Sequence, residues 1–147
     1  MTFKNQKELE SFLLKKFRQA IMNAQEEIYQ IIKQFLYQFY NDYDPIKYER
    51  TYQLLRSLVQ SRIVSDGKGY KAEVYFDING LKYLTGSQPS GEQVMSAAAD
   101  GWHGAEGLRV EQGYTGVSAW NDPIQKLNIE AINILKEMLI AEGIPIK

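Results

Sequence analysis

Between Gln6 and Tyr40 the chain carries no glycine and no proline, and its apolar side chains recur at steps of three and four. Leu9, Leu13, Phe17, Ala20, Ala24, Ile28, Ile31, Phe35 and Phe39 share one side of a helix at this period. Asn5 followed by Glu8 forms a capping box that starts the helix near Gln6. A helix over 6–40 is about 52 Å long at 1.5 Å per residue. A compact domain of 147 residues has a radius of gyration of about 15 Å, hence a diameter of about 40 Å. Unless it breaks, this helix is too long for its own globule and projects from it.

Its apolar surface is also broad. At about 100° per residue the first half presents an apolar arc of roughly 140°. In the second half Tyr29, Ile32, Leu36 and Tyr40 widen that arc to about 220°. Covering one face of one sheet uses about half of this. The excess must meet a second element of the same chain or another subunit, and the sequence leaves both open.

After this helix the pattern changes twice. Asn41, Asp42 and Asp44 disfavour continued helix, and Pro45 restricts Asp44 to extended backbone, so 41–57 reads as a junction with a short helical turn over 47–55. From Leu58 the period becomes two, which predicts a strand over 58–65, a turn at Asp66-Gly67-Lys68-Gly69 and a second strand over 70–78. Asn79-Gly80 is a strong two-residue hairpin turn and predicts a third strand over 81–84 in meander order. Ser90, with Gln93 as its box partner, caps a short helix through Val94, Met95 and the alanines 97–99, and Gly101 ends it. Five glycines between 101 and 116 make an irregular loop around Trp102, His103 and Tyr114. The last helix has Asp122 as N-cap, Pro123 at its first position, Gln125 as box partner, and Gly143 and Pro145 as stops. Ile124, Leu127, Ala131, Ile134, Leu135 and Met138 form its stripe. The expected fold is one α+β domain over 1–147. It has a long N-terminal helix over 6–40 able to project, an antiparallel sheet of three to five strands, a short middle helix and a C-terminal helix. Both terminal helices are expected on one face of the sheet.

Little in the composition supports chemistry. The chain has 17 basic and 18 acidic residues, a net charge of −1, which argues against an electrostatic binder of nucleic acid or membrane surface. No apolar run is long enough to span a bilayer, and the opening MTFKNQKELE has no apolar core of a secretory signal. There is no cysteine, hence no disulfide, thiol nucleophile or thiolate metal site. The single histidine, His103, could serve as a general base, but Ser87, Ser90 and Ser96 lie in no nucleophile-elbow pattern. One histidine with scattered acids gives no metal spacing. The glycines around Trp102 and His103 match neither the P-loop nor the dinucleotide-binding fingerprint. The expectation is therefore a protein that is not an enzyme and binds no cofactor or metal.

Six of the ten tyrosines fall between 29 and 52: Tyr29, Tyr37, Tyr40, Tyr43, Tyr48 and Tyr52. Tyrosine offers large apolar area with a polar tip, which suits wet protein interfaces. A stacking platform for single-stranded nucleic acid needs a basic groove beside it, whereas residues 1–60 hold nine basic against seven acidic side chains. A protein interface is favoured, with ordinary core packing able to absorb half of these rings. The expected interaction residues are Tyr37, Tyr40, Tyr43, Pro45, Tyr48, Arg50, Trp102 and His103. Arg50 is expected to anchor the junction, to an acid of its own chain or across a subunit interface. Arg50→Ala should then cost roughly 2–4 kcal/mol by stranding a desolvated partner. An unchanged melting temperature would instead mark a solvated arginine.

The run Tyr43-Asp44-Pro45-Ile46-Lys47-Tyr48-Glu49-Arg50-Thr51 resembles a segment of small proteins from Gram-positive siphophages and prophages, described as head–tail joining, tail-completion or minor tail components. In those proteins the pattern similarly follows a long N-terminal helix and precedes a strand pair. Ala99-Asp100-Gly101-Trp102-His103-Gly104 is similar to a helix-end run in the same family, and Trp120-Asn121-Asp122 to its Trp-x-Asp before the closing helix. The resemblance implies an α+β subunit that assembles into a ring at the head–tail junction or tail end. Its partners would be copies of itself and other head–tail or tail proteins, and its location the virion, after assembly in the host cytoplasm. The alternative is a non-enzymatic interaction module, prophage or host encoded, that binds a soluble protein partner.

Overall fold

The computed structural model describes residues 2–41, 52–81, 91–99 and 118–147. The architecture is α+β, with helices dominating. Helix α1 (Gln6–Asn41) is unbroken over 36 residues, about 54 Å at 1.5 Å per residue. Its start is capped as the spacing predicts. Asn5 Oδ1 accepts the Glu8 N–H at 2.9 Å, and the Glu8 carboxylate accepts the Lys4 N–H at 2.7 Å. The buried side chains of α1 begin at Ala20 and continue through Ala24, Gln25, Ile31, Ile32, Leu36 and Phe39. Ile32 and Leu36, which widen the apolar arc, are the most deeply buried large side chains of this helix. That part of the excess surface is therefore covered within the chain.

Six elements follow the junction before the next long gap, a short helix, four strands and a 3₁₀ turn. Helix α2 (Gln53–Ser57) buries Leu54, and Ser57 Oγ donates to the Leu54 carbonyl at 2.7 Å. Of the helical turn expected over 47–55, the described part starts at Gln53 and runs on to Ser57, while residues 47–51 lie outside the described ones. Strand β1 (Leu58–Gln60) pairs antiparallel with β4 (Val74–Phe76), Leu58 facing Phe76 and Gln60 facing Val74. Strand β2 (Val64–Ser65) pairs with β3 (Tyr70–Lys71), Ser65 facing Tyr70. The two ladders belong to one hairpin, divided where three residues, 61–63, oppose two, 72–73. That extra residue is a β-bulge, and it breaks the two continuous strands expected over 58–65 and 70–78. At the tip Asp66 Oδ1 accepts the N–H groups of Lys68 and Gly69 at 2.9 and 2.8 Å, an Asx turn at the predicted place.

The meander does not continue as expected. Asn79-Gly80 makes no hairpin turn: Ile78–Gly80 is a single 3₁₀ turn, because the Asp77 carboxylate accepts the Asn79 N–H at 3.2 Å. The Leu81 N–H donates to the Ile78 carbonyl, and Leu81 is buried. The remainder of the expected third strand, 82–84, lies outside the described residues. Among the described residues the sheet component is four short strands in two ladders.

Helix α3 (Gly91–Ala99) forms where the alanine run predicts it. Its first residue sits against the Ile78 carbonyl, where a Cβ would collide, so glycine is required there. The expected caps Ser90 and Gly101 lie outside the described residues. Helix α4 (Asn121–Ala141) starts two residues earlier than expected, and its cap is corrected. Asp122 is not the N-cap and Pro123 is not first. Instead Ser118 Oγ accepts the Asp122 N–H at 2.9 Å while Asp122 Oδ2 accepts the Ser118 N–H at 2.8 Å. This reciprocal pair replaces the box predicted with Gln125, because buried Ser118 lies four residues upstream, within reach of the first turn. The other end follows the sequence: Gly143 has φ 81°, its N–H meets the Ile140 carbonyl at 2.9 Å, and the Ile144 N–H meets the Leu139 carbonyl at 3.0 Å.

Helix α4 runs antiparallel to α1, with the Lys16–Glu142 ion pair at 3.2 Å near one end and Gln34 beside Lys126 near the other. Helix α1 packs on both the hairpin and α4. The expected placement of the C-terminal helix is thus refined: it lies chiefly along α1 and meets the hairpin at its start, where the Trp120 ring is edge-on to Phe76 at 5.5 Å. The core gathers Ile32 and Leu36 with Leu54, Leu58, Leu81, Ala98, Ala119, Leu127 and Ile134.

Candidate interaction surface

Three regions on α1 and α4 present side chains suited to contact with a partner. The first is the aromatic side of α1. Tyr29, Lys33 and Tyr37 are spaced four apart and so stack along one helix face. The Lys33 ammonium lies 5.7 Å from the Tyr29 ring and 6.0 Å from that of Tyr37, a cation–π ladder on the solvent side. One turn earlier Glu26 accepts from the Gln30 and Gln60 amides at 2.7 and 2.8 Å. Those bonds, helped by Lys33, hold its carboxyl below the usual range.

Of the predicted interaction residues, Tyr37 and Tyr40 are described, and they have different surroundings. Tyr37 is exposed. Tyr40 is half-buried: its ring is edge-on to Phe39 at 5.8 Å and tilted against Tyr52 at 5.0 Å, and its hydroxyl accepts the Leu55 N–H at 3.3 Å. Tyr52 has φ 54°, in the left-handed region that non-glycine residues rarely occupy, yet its ring is exposed. Packing against Tyr40 compensates that strain. Tyr43, Pro45, Tyr48, Arg50, Trp102 and His103 lie outside the described residues, as does the anchoring role expected of Arg50.

The second region is the N-terminal arm of α1, residues 6–19, where no side chain is buried. Leu9, Leu14 and Phe17 are exposed there, although they continue the apolar side of the same helix. The third is the outer side of α4, where Ile129 and Ile132 are 77% and 69% exposed. Both long helices therefore leave apolar side chains uncovered, which marks contact surfaces more often than chance.

One polar residue that the sequence reading passed over holds the hairpin on α1. Gln25 is buried, and its Nε2 donates to the carbonyls of Ser61 and Glu73 at 3.0 and 2.9 Å, the two sides of the bulge. Its signal was present in the sequence: at about 100° per residue it shares the arc of Ile32 and Leu36.

Elsewhere the surface offers a polar groove of about 460 Å³ between α1 and α4, lined by residues such as Gln30, Gln34, Lys126 and Glu137. Among the described residues no group of three His, Cys, Asp or Glu could hold a metal ion, and no helix is long and apolar enough to cross a membrane.

The YomN family model matches the chain over residues 5–141, and the name is of the Bacillus phage and prophage type. No curated protein and no solved structure matches.

Proposed function

The chain belongs to the YomN family and is phage-associated, and from that premise we propose that it is a structural virion protein of a tailed phage or prophage. Its place is that of a head–tail connector or tail-completion subunit, and it acts by assembling into a ring. The observation that carries this reading is the arm of α1: a helix of 36 residues whose first buried side chain is Ala20 extends apolar surface past its own core. A subunit that stays alone gains nothing from such an arm; a subunit in an assembly does. The phage-type family name and the similarity of the Trp120-Asn121-Asp122 start of α4 to head–tail proteins support the same reading.

Its partners in this reading are copies of itself and neighbouring head–tail or tail proteins, with no catalytic step, cofactor, membrane or sequence-specific nucleic-acid contact. It is made in the host cytoplasm and ends in the virion. Deleting its gene from an inducible phage should leave filled heads and free tails that fail to join, and supplying the wild-type gene should restore joined particles. Intact infectious particles from the deletion would instead favour an interaction module with a soluble protein partner, for which the exposed Tyr37 and Tyr52 are the docking residues.

A further inference from the structure

The two uncovered apolar faces carry opposite charges, Glu10 at the N-terminal edge of the arm's face and Lys136 within that of α4. In the arm, Leu14 and Phe17 are 45% and 37% exposed, and at about 100° per residue Glu10 falls between them on the helix surface. The Glu10 carboxylate accepts from the Gln6 amide of its own helix at 2.7 Å and is exposed. On α4, Ile129, Ile132 and Ile140 straddle the pole opposite Leu127 and Ile134, which enter the core. Lys136, also exposed, falls among these three isoleucines. The exposed stretches are of similar length, about 12 Å from Leu9 to Phe17 and about 17 Å from Ile129 to Ile140 at 1.5 Å per residue.

We propose that the arm of one copy docks on the outer side of α4 of a second copy. Laid antiparallel with Glu10 opposite Lys136, the arm sets Leu14 opposite Ile132 and Phe17 opposite Ile129. The apolar side chains then cover one another, and each embedded charge meets its opposite. Like-on-like pairing lacks this match: an antiparallel α4–α4 contact centred on the isoleucines brings the two Lys136 ammonium groups within about one helical turn. A second copy is the partner that carries both complementary faces by construction. The contact is heterologous, since two different surfaces meet, so successive copies close a ring or run on as a filament. A single helix-on-helix contact of this size gives a weak, reversible dimer that forms at the top of a dilution series. Closing a ring gives every subunit two such contacts. The inference deepens the self-assembly reading above and rests on it for ring closure alone.

Sedimentation velocity of the full chain, across a dilution series, tests the contact with two variants at exposed positions. Leu14→Glu disables the arm and Ile132→Lys disables the α4 face, each with an unchanged circular dichroism spectrum and melting temperature. The wild type should assemble beyond a dimer as concentration rises, and each variant alone should stay monomeric. Their equimolar mixture should stop at a one-to-one dimer, because one intact arm still finds one intact face. Glu10→Lys should weaken association by about tenfold or more, and adding Lys136→Glu to the same chain should restore it. A wild type that assembles equally well with either variant overturns the contact and leaves ring assembly standing. A mixture that stays monomeric overturns it as well, as does a charge reversal without rescue. A wild type monomeric at every concentration overturns both the contact and self-assembly, while presence in the virion is decided separately by the particles.

Discussion

Gln25 shows what a single side chain does in this fold. Its amide donates to two carbonyls at the bulge, that of Ser61 on one strand and that of Glu73, which also accepts the Ser61 N–H, on the other, and so ties the hairpin to α1 at a set register. Replacing it by leucine leaves the volume and removes both donors. Gln25→Leu should cost about 2–3 kcal/mol, measured as a lower urea midpoint with an unchanged slope; an unchanged midpoint would show that the carbonyls find other partners. Asp66 makes a prediction about pH. The N–H groups of Lys68 and Gly69, in that order, hold its carboxyl below the ordinary aspartate range. A folded value below the unfolded one means that the turn's contribution is present above the unfolded pKa of about 3.9 and is lost as pH falls through the folded value. Carbon-13 titration of Asp66 should therefore give a midpoint below that of an aspartate in a short peptide, and a midpoint at or above it would contradict the turn geometry. Single residues were legible where the motif is contiguous, as at Asn5 and Glu8, or where backbone demands glycine, as at Gly143. For Gln25 the place on the buried arc was legible but the two acceptors were not, because they lie 36 and 48 residues away.

The elements were legible in proportion to their length. Period and the absence of breakers marked α1 and α4, since a stripe repeated over many turns has one geometric reading. The short strands were less so. Their alternation located the hairpin and its Asp66 turn, but the bulge depends on a residue of α1, and Asn79-Gly80 was diverted into a 3₁₀ turn by the Asp77 carboxylate just before it. The start of α4 is similar: local spacing pointed to Asp122 as the cap, while the fold uses the buried Ser118 hydroxyl with it. Ser118→Ala should cost about 1–2 kcal/mol, since it removes an acceptor for the first turn of the helix. Thermal unfolding followed at 222 nm checks this, and a melting temperature equal to that of the wild type would show that the Ser118 hydroxyl adds nothing to the start of α4.

Seen whole, the described molecule is a core built under the C-terminal half of one long helix, with α4 following that helix back to the Lys16–Glu142 ion pair and only its first turns lying beyond. The length of α1 was readable from the sequence, whereas which of its turns the core covers was not. Which side chains their own chain leaves uncovered was less readable. Tyr40 turned out to be engaged with Phe39, Tyr52 and Leu55, whereas Ile129 and Ile132, on a helix read for its core stripe, stand in solvent. Hydrophobic pattern tells which residues need cover, not whether their own chain provides it. The central claim is that this YomN-family chain works as part of a particle. Quantitative mass spectrometry of purified phage particles, with gold labelling of a tagged copy under the electron microscope, tests it most directly. The account predicts a fixed number of copies per particle, with label at the junction of head and tail; particles free of the chain, with all of it left in the soluble lysate, would contradict it.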